Sequence, residues 1–174
     1  MNDCRTLAED NIAFLRQASS LLERIDDAVF TRGNSATLSS GFGPHLRHCL
    51  DHYEQFLAGF PAGHIDYDAR ERDRRTETDR AFALQRIRPA IGGLGKISAE
   101  DADRPLEIKM DSGGAQEWTK STAARELQFL ASHTVHHFAL IAFILRSQRI
   151  DTGPEFGIAP STLRHQKSPE PCAR

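Results

Sequence analysis

The chain has 174 residues, which suits one domain around a single core. Hydrophobic residues make up 39% and charged residues 26%, a balance that excludes a disordered polymer. With 22 Lys+Arg against 24 Asp+Glu the formal net charge is -2, which argues against a dedicated nucleic-acid binder. The longest apolar run, Phe138 to Leu145, is far short of the ~20 residues of a membrane helix. The opening residues, Met1 to Arg5, mix acid and base unlike a signal peptide, so no membrane partner and a cytoplasmic location are expected. Cys4, Cys49 and Cys172 are scattered, with no C-x-x-C, and fit neither a disulfide framework nor a thiolate zinc site.

In chain order, Leu7, Phe14, Ala18, Leu21, Ile25 and Val29 keep the 3.6-residue period of a first amphipathic helix. The Gly/Ser/Thr-rich stretch from Thr31 to Gly43 breaks it. Pro44 suits the first turn of a second helix, whose stripe is Leu46, Leu50, Tyr53, Leu57 and Phe60. Residues 64–75 are polar, end in a mixed charge run and read as a solvated surface. A third helix starts near Thr76, with Pro89 expected to kink or shorten it. Residues 105–110 alternate apolar and polar, then Gly113-Gly114 offers a turn, so a small hairpin is expected around Trp118. Ser121 or Thr122 caps a fourth helix, apolar nearly all round from Leu127 to Leu145, the mark of a central helix. The expectation is an all-α fold, an antiparallel four-helix bundle with a small insert before the last helix. It occupies residues 1–165, and 166–174 form a flexible tail.

The histidines carry the chemistry. On a helical wheel His45, His48 and His52 fall within about 60° of one another, beside the apolar stripe of the second helix. Glu126, His133 and His137 fall within about 40° on the fourth helix. His133 and His137 are i and i+4, close enough to share one ion. The H-E-x-x-H motif is absent, and no Glu has a His three residues later, so a metalloprotease motif and a carboxylate-rich di-iron site are excluded. What is left is a mononuclear site dominated by histidine. The plain alternative, hydrogen-bonded histidines lining a core, stands beside it.

Gly43-Pro-His-Leu-Arg-His-Cys-Leu-Asp-His-Tyr53, followed by His133-Thr-Val-His-His137, resembles the DinB/YfiT-like superfamily of metal-binding four-helix bundles. Residues 65–72 and 156–164 are similar to an uncharacterised branch of it. The resemblance implies a metal on His48, His133 and His137; His52 stays open as the alternative to His48 or as an extra ligand. Phe138-Ala139-Leu140 stands where many relatives have Arg-Gly-Gln after the final histidine. The family includes thiol transferases and isomerases using low-molecular-weight thiols and metal-dependent hydrolases. The expected cofactor is therefore a divalent ion, with Zn, Ni and Fe undistinguished, and the expected partner a small-molecule substrate. Three imidazoles leave an open position, which suits activation of a thiol or water. Glu126, two turns before His133, is expected to hydrogen-bond behind the ligands. Tyr67 and Arg70, in the loop after the second helix, are candidates for substrate contact. The rival class is a non-catalytic or stress-associated bundle with a structural metal. A homodimer is compatible with the sequence.

Overall fold

The computed structural model describes residues 3–32, 40–111 and 117–167. Helix α1 (Cys4–Arg24) starts where the Asp3 carboxylate accepts from the Thr6 amide, and it buries Leu7, Phe14, Leu15, Leu21 and Leu22. It does not run on to Val29. Ile25 turns extended and Asp26 caps a separate short helix, α2 (Asp27–Thr31), by accepting from the Val29 amide. Helix α3 (Phe42–Gly59) buries Leu46, Leu50, Tyr53 and Phe56. A 3-10 turn, Phe60–Ala62, and Gly63 at φ 78 then reverse the chain. Strand β1 (His64–Asp66) follows, then α4 (Arg75–Thr78) and α5 (Arg80–Leu94), with Asp79 capping α5 through the Phe82 amide. Pro89 lies inside α5, which continues to Leu94. Strands β2 (Pro105–Lys109) and β3 (Thr119–Thr122) lead into α6 (Ala123–Ser147), capped by Thr122, and α7 (Pro160–Lys167) comes last.

Helix α6 packs along α1 and α3, and α5 packs along the same two helices, so the four long helices share one core. Two buried polar systems lock them. The Tyr53 hydroxyl joins Asn11 on α1 and Thr134 on α6. Asp51, 2% exposed, accepts from Arg47 of its own helix and Arg86 of α5. Arg47 also reaches Glu77 of α4, and Arg86 reaches Glu54 and Thr76.

The expectation of an all-α four-helix bundle is corrected. Among the described residues seven helices accompany a three-stranded mixed sheet of order β1-β2-β3. The β2–β3 pair is antiparallel, with Leu106 opposite Ser121. Strand β1 pairs parallel to β2, with Ile65 opposite Ile108, and buries Ile65 completely. The cause is local. The polar stretch read as surface hides two fully buried side chains, Ile65 and Tyr67, and backbone pairing with a segment some forty residues on satisfies their amides.

Two further expectations change. Helix α6 is long and apolar enough to cross a membrane by length and composition alone. Its inner face, however, is buried against α1 and α3, the position of a core helix. Residues 166 and 167 belong to α7, and 168–174 of the expected tail, with Cys172, lie outside the described residues.

Candidate metal centre

Helices α3 and α6 cross with their histidine faces opposed. The i, i+4 spacing stacks His48 over His52 on one helix and His133 over His137 on the other. One ligand atom each from His48, His133 and His137 lies within 4.8 Å of the others. Ring centroids are 4.9 Å apart for His48–His133, 4.7 Å for His48–His137 and 4.5 Å for His133–His137. His133 Nε2 is buried and has no hydrogen-bond partner. A buried imidazole nitrogen left unmet is costly unless something takes its lone pair.

Neighbouring groups set the tautomers. His137 Nδ1 lies 3.0 Å from His45 Nδ1, and His45 Nε2 lies 2.9 Å from Ser40 Oγ. When His45 Nε2–H donates to Ser40 and His137 Nδ1–H donates to His45, the His137 Nε2 lone pair is left free. His52 Nδ1 donates to the His48 carbonyl at 2.8 Å, which leaves its own Nε2 as an acceptor. Arg70 Nη1 donates to His48 Nδ1 at 3.0 Å.

Burial, and then positive charge on neighbouring imidazoles, holds the three rings neutral. His48 falls to about 2, His133 to about 3 and His137 to about 4, and the Arg70 guanidinium adds to the first two. Neutral imidazole is the ligating form.

The sheet carries the loop that roofs the site. Asp66 Oδ1 accepts from the amides of Asp68 and Ala69, an Asx turn, while Tyr67 N donates to Lys109 O and Asp111 N to Asp68 Oδ2. Tyr67 and Arg70 thereby close over a cavity of about 250 Å³; His48, His52, Phe129 and His133 line its inner side, and Asp68, Met110 and Asp111 complete the wall. Larger hollows of about 480 and 490 Å³ elsewhere contain no histidine.

The sequence-derived candidates divide as follows. His48, His133 and His137 come together. His52 stands beside them, its ring 4.3 Å from that of His133 and stacked on Tyr67, but it is not part of the three-atom group. Glu126 is buried away from the group and accepts from Tyr67 Oη at 3.0 Å and Ser121 Oγ at 2.6 Å. The Tyr67 hydroxyl is therefore turned to Glu126, and burial with that carboxylate pushes its pKa up. Its ring, not its proton, serves the cavity. Arg70 reaches the histidines directly. The role of His45 behind His137 was not singled out in the sequence, although His45 falls on the same face as His48.

No family model and no solved structure matches this chain. Over 106 residues it is 32% identical to a protein named FK506-binding protein 5 from Rhizopus delemar. The aligned part is 59% of this chain, and the chain spans 28% of that protein's length. That is a different kind of protein, and the sheet departs from an all-helical architecture. The description of the chain as a DinB four-helix bundle is withdrawn on both findings.

Proposed function

We propose that the chain binds one divalent ion on His48, His133 and His137 and uses it to activate a thiol or water against a small substrate. The observation that supports this is the convergence of three neutral imidazoles, one with an unmet buried nitrogen, beside a small cavity. Three protein ligands leave a coordination position open, which suits chemistry better than a purely structural role. Bound there, such an ion lowers the pKa of a thiol or water and polarises a carbonyl. His45 orients His137 through the Nδ1 contact, with Ser40 behind it. Phe129 and the Tyr67 ring exclude bulk water, which strengthens every charge inside. A cavity of about 250 Å³ admits a small molecule and nothing larger. Imidazole suits zinc, nickel and iron alike. A cytoplasmic setting with a low-molecular-weight thiol belongs to the same proposal.

The test is a screen of metal-reconstituted protein for consumption of a low-molecular-weight thiol with an electrophile, and for hydrolysis of small esters and amides. Activity lost in His133→Ala supports the reading, and inertness in both screens rejects catalysis. One observation favours a second reading. His52 Nε2 has a free lone pair beside His133, and its recruitment as a fourth ligand would close the site into a structural one. Metal-bound protein in which His52→Ala loses the ion supports that alternative.

A further inference from the structure

Arg70 stands between two acceptors of different kinds. Its Nη1 donates to His48 Nδ1 at 3.0 Å, and its Nε is buried without a partner. The neighbouring arginines are tied to carboxylates instead, Arg47 to Asp51 and Glu77, and Arg86 to Asp51 and Glu54. Both Asp51 oxygens are thereby taken. Asp68 is placed differently. It lines the hollow together with Arg70 and His48, and its negative charge acts on the Arg70 guanidinium. Its Oδ2 accepts from the Asp111 amide, and no described residue donates to its Oδ1.

A guanidinium only donates, so His48 Nδ1 accepts with the one in-plane lone pair of a neutral imidazole. An ion on His48 needs that same lone pair. It takes Nδ1 directly, or takes Nε2 once the ring proton sits on Nδ1; in either case Nδ1 has nothing left to accept with. The Arg70–His48 bond and ligation by His48 therefore exclude each other. A guanidinium displaced from His48 still has a partner in the same wall, the open Oδ1 of Asp68.

Resting on the metal reading above, we infer that Arg70 is a two-position latch on the metal centre, seated on His48 in the metal-free protein and on Asp68 in the loaded one. The exchange is a side-chain movement, because the Asp66 turn and the bond from Tyr67 N to Lys109 O hold the backbone of the loop. The latch lowers the affinity for the ion, since loading first breaks a charge-assisted bond, and the Asp68 carboxylate offsets part of that cost.

The test measures zinc affinity by chelator competition in the wild type, Arg70→Met, Asp68→Asn and the double variant. Sodium chloride at about 0.5 M screens through-space repulsion between Arg70 and the ion, and circular dichroism checks each fold. Asparagine keeps an acceptor for the Asp111 amide, so the loop stays anchored. Arg70→Met should bind zinc about tenfold more tightly than the wild type, because no donor competes for His48. Asp68→Asn should bind it about tenfold more weakly, yet the same change in the Arg70→Met background should cost about twofold at most. A structure of the zinc-loaded wild type gives the independent readout, with the Arg70 guanidinium on Asp68 and off His48. Additive effects of the two substitutions, weaker zinc binding by Arg70→Met, or a loaded structure with Arg70 still on His48 Nδ1 overturns the inference and leaves zinc binding itself intact. No zinc bound by either the wild type or Arg70→Met rejects the triad and the inference with it.

Discussion

Replacing Tyr53 by Phe removes one oxygen from the centre of the helical core. The residue is completely buried, and its hydroxyl donates to Asn11 Oδ1 at 2.7 Å and lies 2.9 Å from Thr134 Oγ1. Asn11 Nδ2 in turn donates to the carbonyls of Leu7 and Leu127, so one hydroxyl ties α3 to both α1 and α6. Phenylalanine fills the same volume, and no cavity contribution enters. The Thr134 hydroxyl can turn to a carbonyl one turn back in its own helix. Asn11 Oδ1 has no such escape. One buried acceptor left unmet costs about 1–3 kcal/mol. For a chain of this size each kcal/mol lowers the melting temperature by about 2–4 °C, so the variant should melt about 2–12 °C below the wild type. Urea unfolding should agree, with an unchanged slope. Asn11→Leu made in the Tyr53→Phe background should cost clearly less than in the wild type, because the orphaned acceptor is then gone. A melting temperature within about 1 °C of the wild type, or strict additivity of the two changes, would refute the network's role.

Asp51→Ala should be more damaging. It strips a 2% exposed carboxylate from Arg47 and Arg86, and breaking a buried pair on one side costs about 3–5 kcal/mol; Glu77 and Glu54 keep the loss near the lower figure. A loss below about 1 kcal/mol in chemical denaturation would show that the cluster is solvent-screened. In metal-free protein, the lowered pKa values of His48, His133 and His137 make stability pH-dependent. Below about pH 6.5 the unfolded chain binds protons that the native chain refuses. Stability is full above that pH and falls as pH drops toward about 4, and a melting temperature flat from pH 7.5 to 5 would contradict burial of neutral imidazoles.

What could be read from the amino-acid order follows the range of the forces involved. Helix α6 is legible because its apolar residues recur locally, and the histidine faces are legible because i, i+4 spacing converts directly into proximity on a helix. The match of α3 to α6 across the core follows from their apolar stripes flanking those faces. Strand β1 is not legible. His64–Asp66 is too short to alternate, and the β2 residues that pair with it lie some forty positions away. The break after Arg24 escapes for a different reason: Ile25 and Val29 keep the helical period while Asp26 competes as a cap. The charge run ending at Arg75 contains several arginines, and local chemistry cannot say which turns inward. Arg70 does so because the Asp66 turn and the β1–β2 pairing aim its loop at His48. The Tyr67 hydroxyl goes to Glu126 because β1 delivers it there.

The central claim is tested most directly by zinc stoichiometry, measured by elemental analysis on desalted protein after reconstitution. One zinc per chain is predicted for the wild type, for His52→Ala and for His64→Ala, the last a change at an exposed β1 residue paired with Glu107. His48→Ala, His133→Ala and His137→Ala should each retain far less than one equivalent while keeping their helical circular dichroism. Stoichiometric zinc in all three of these variants, or none in the wild type, would contradict the account.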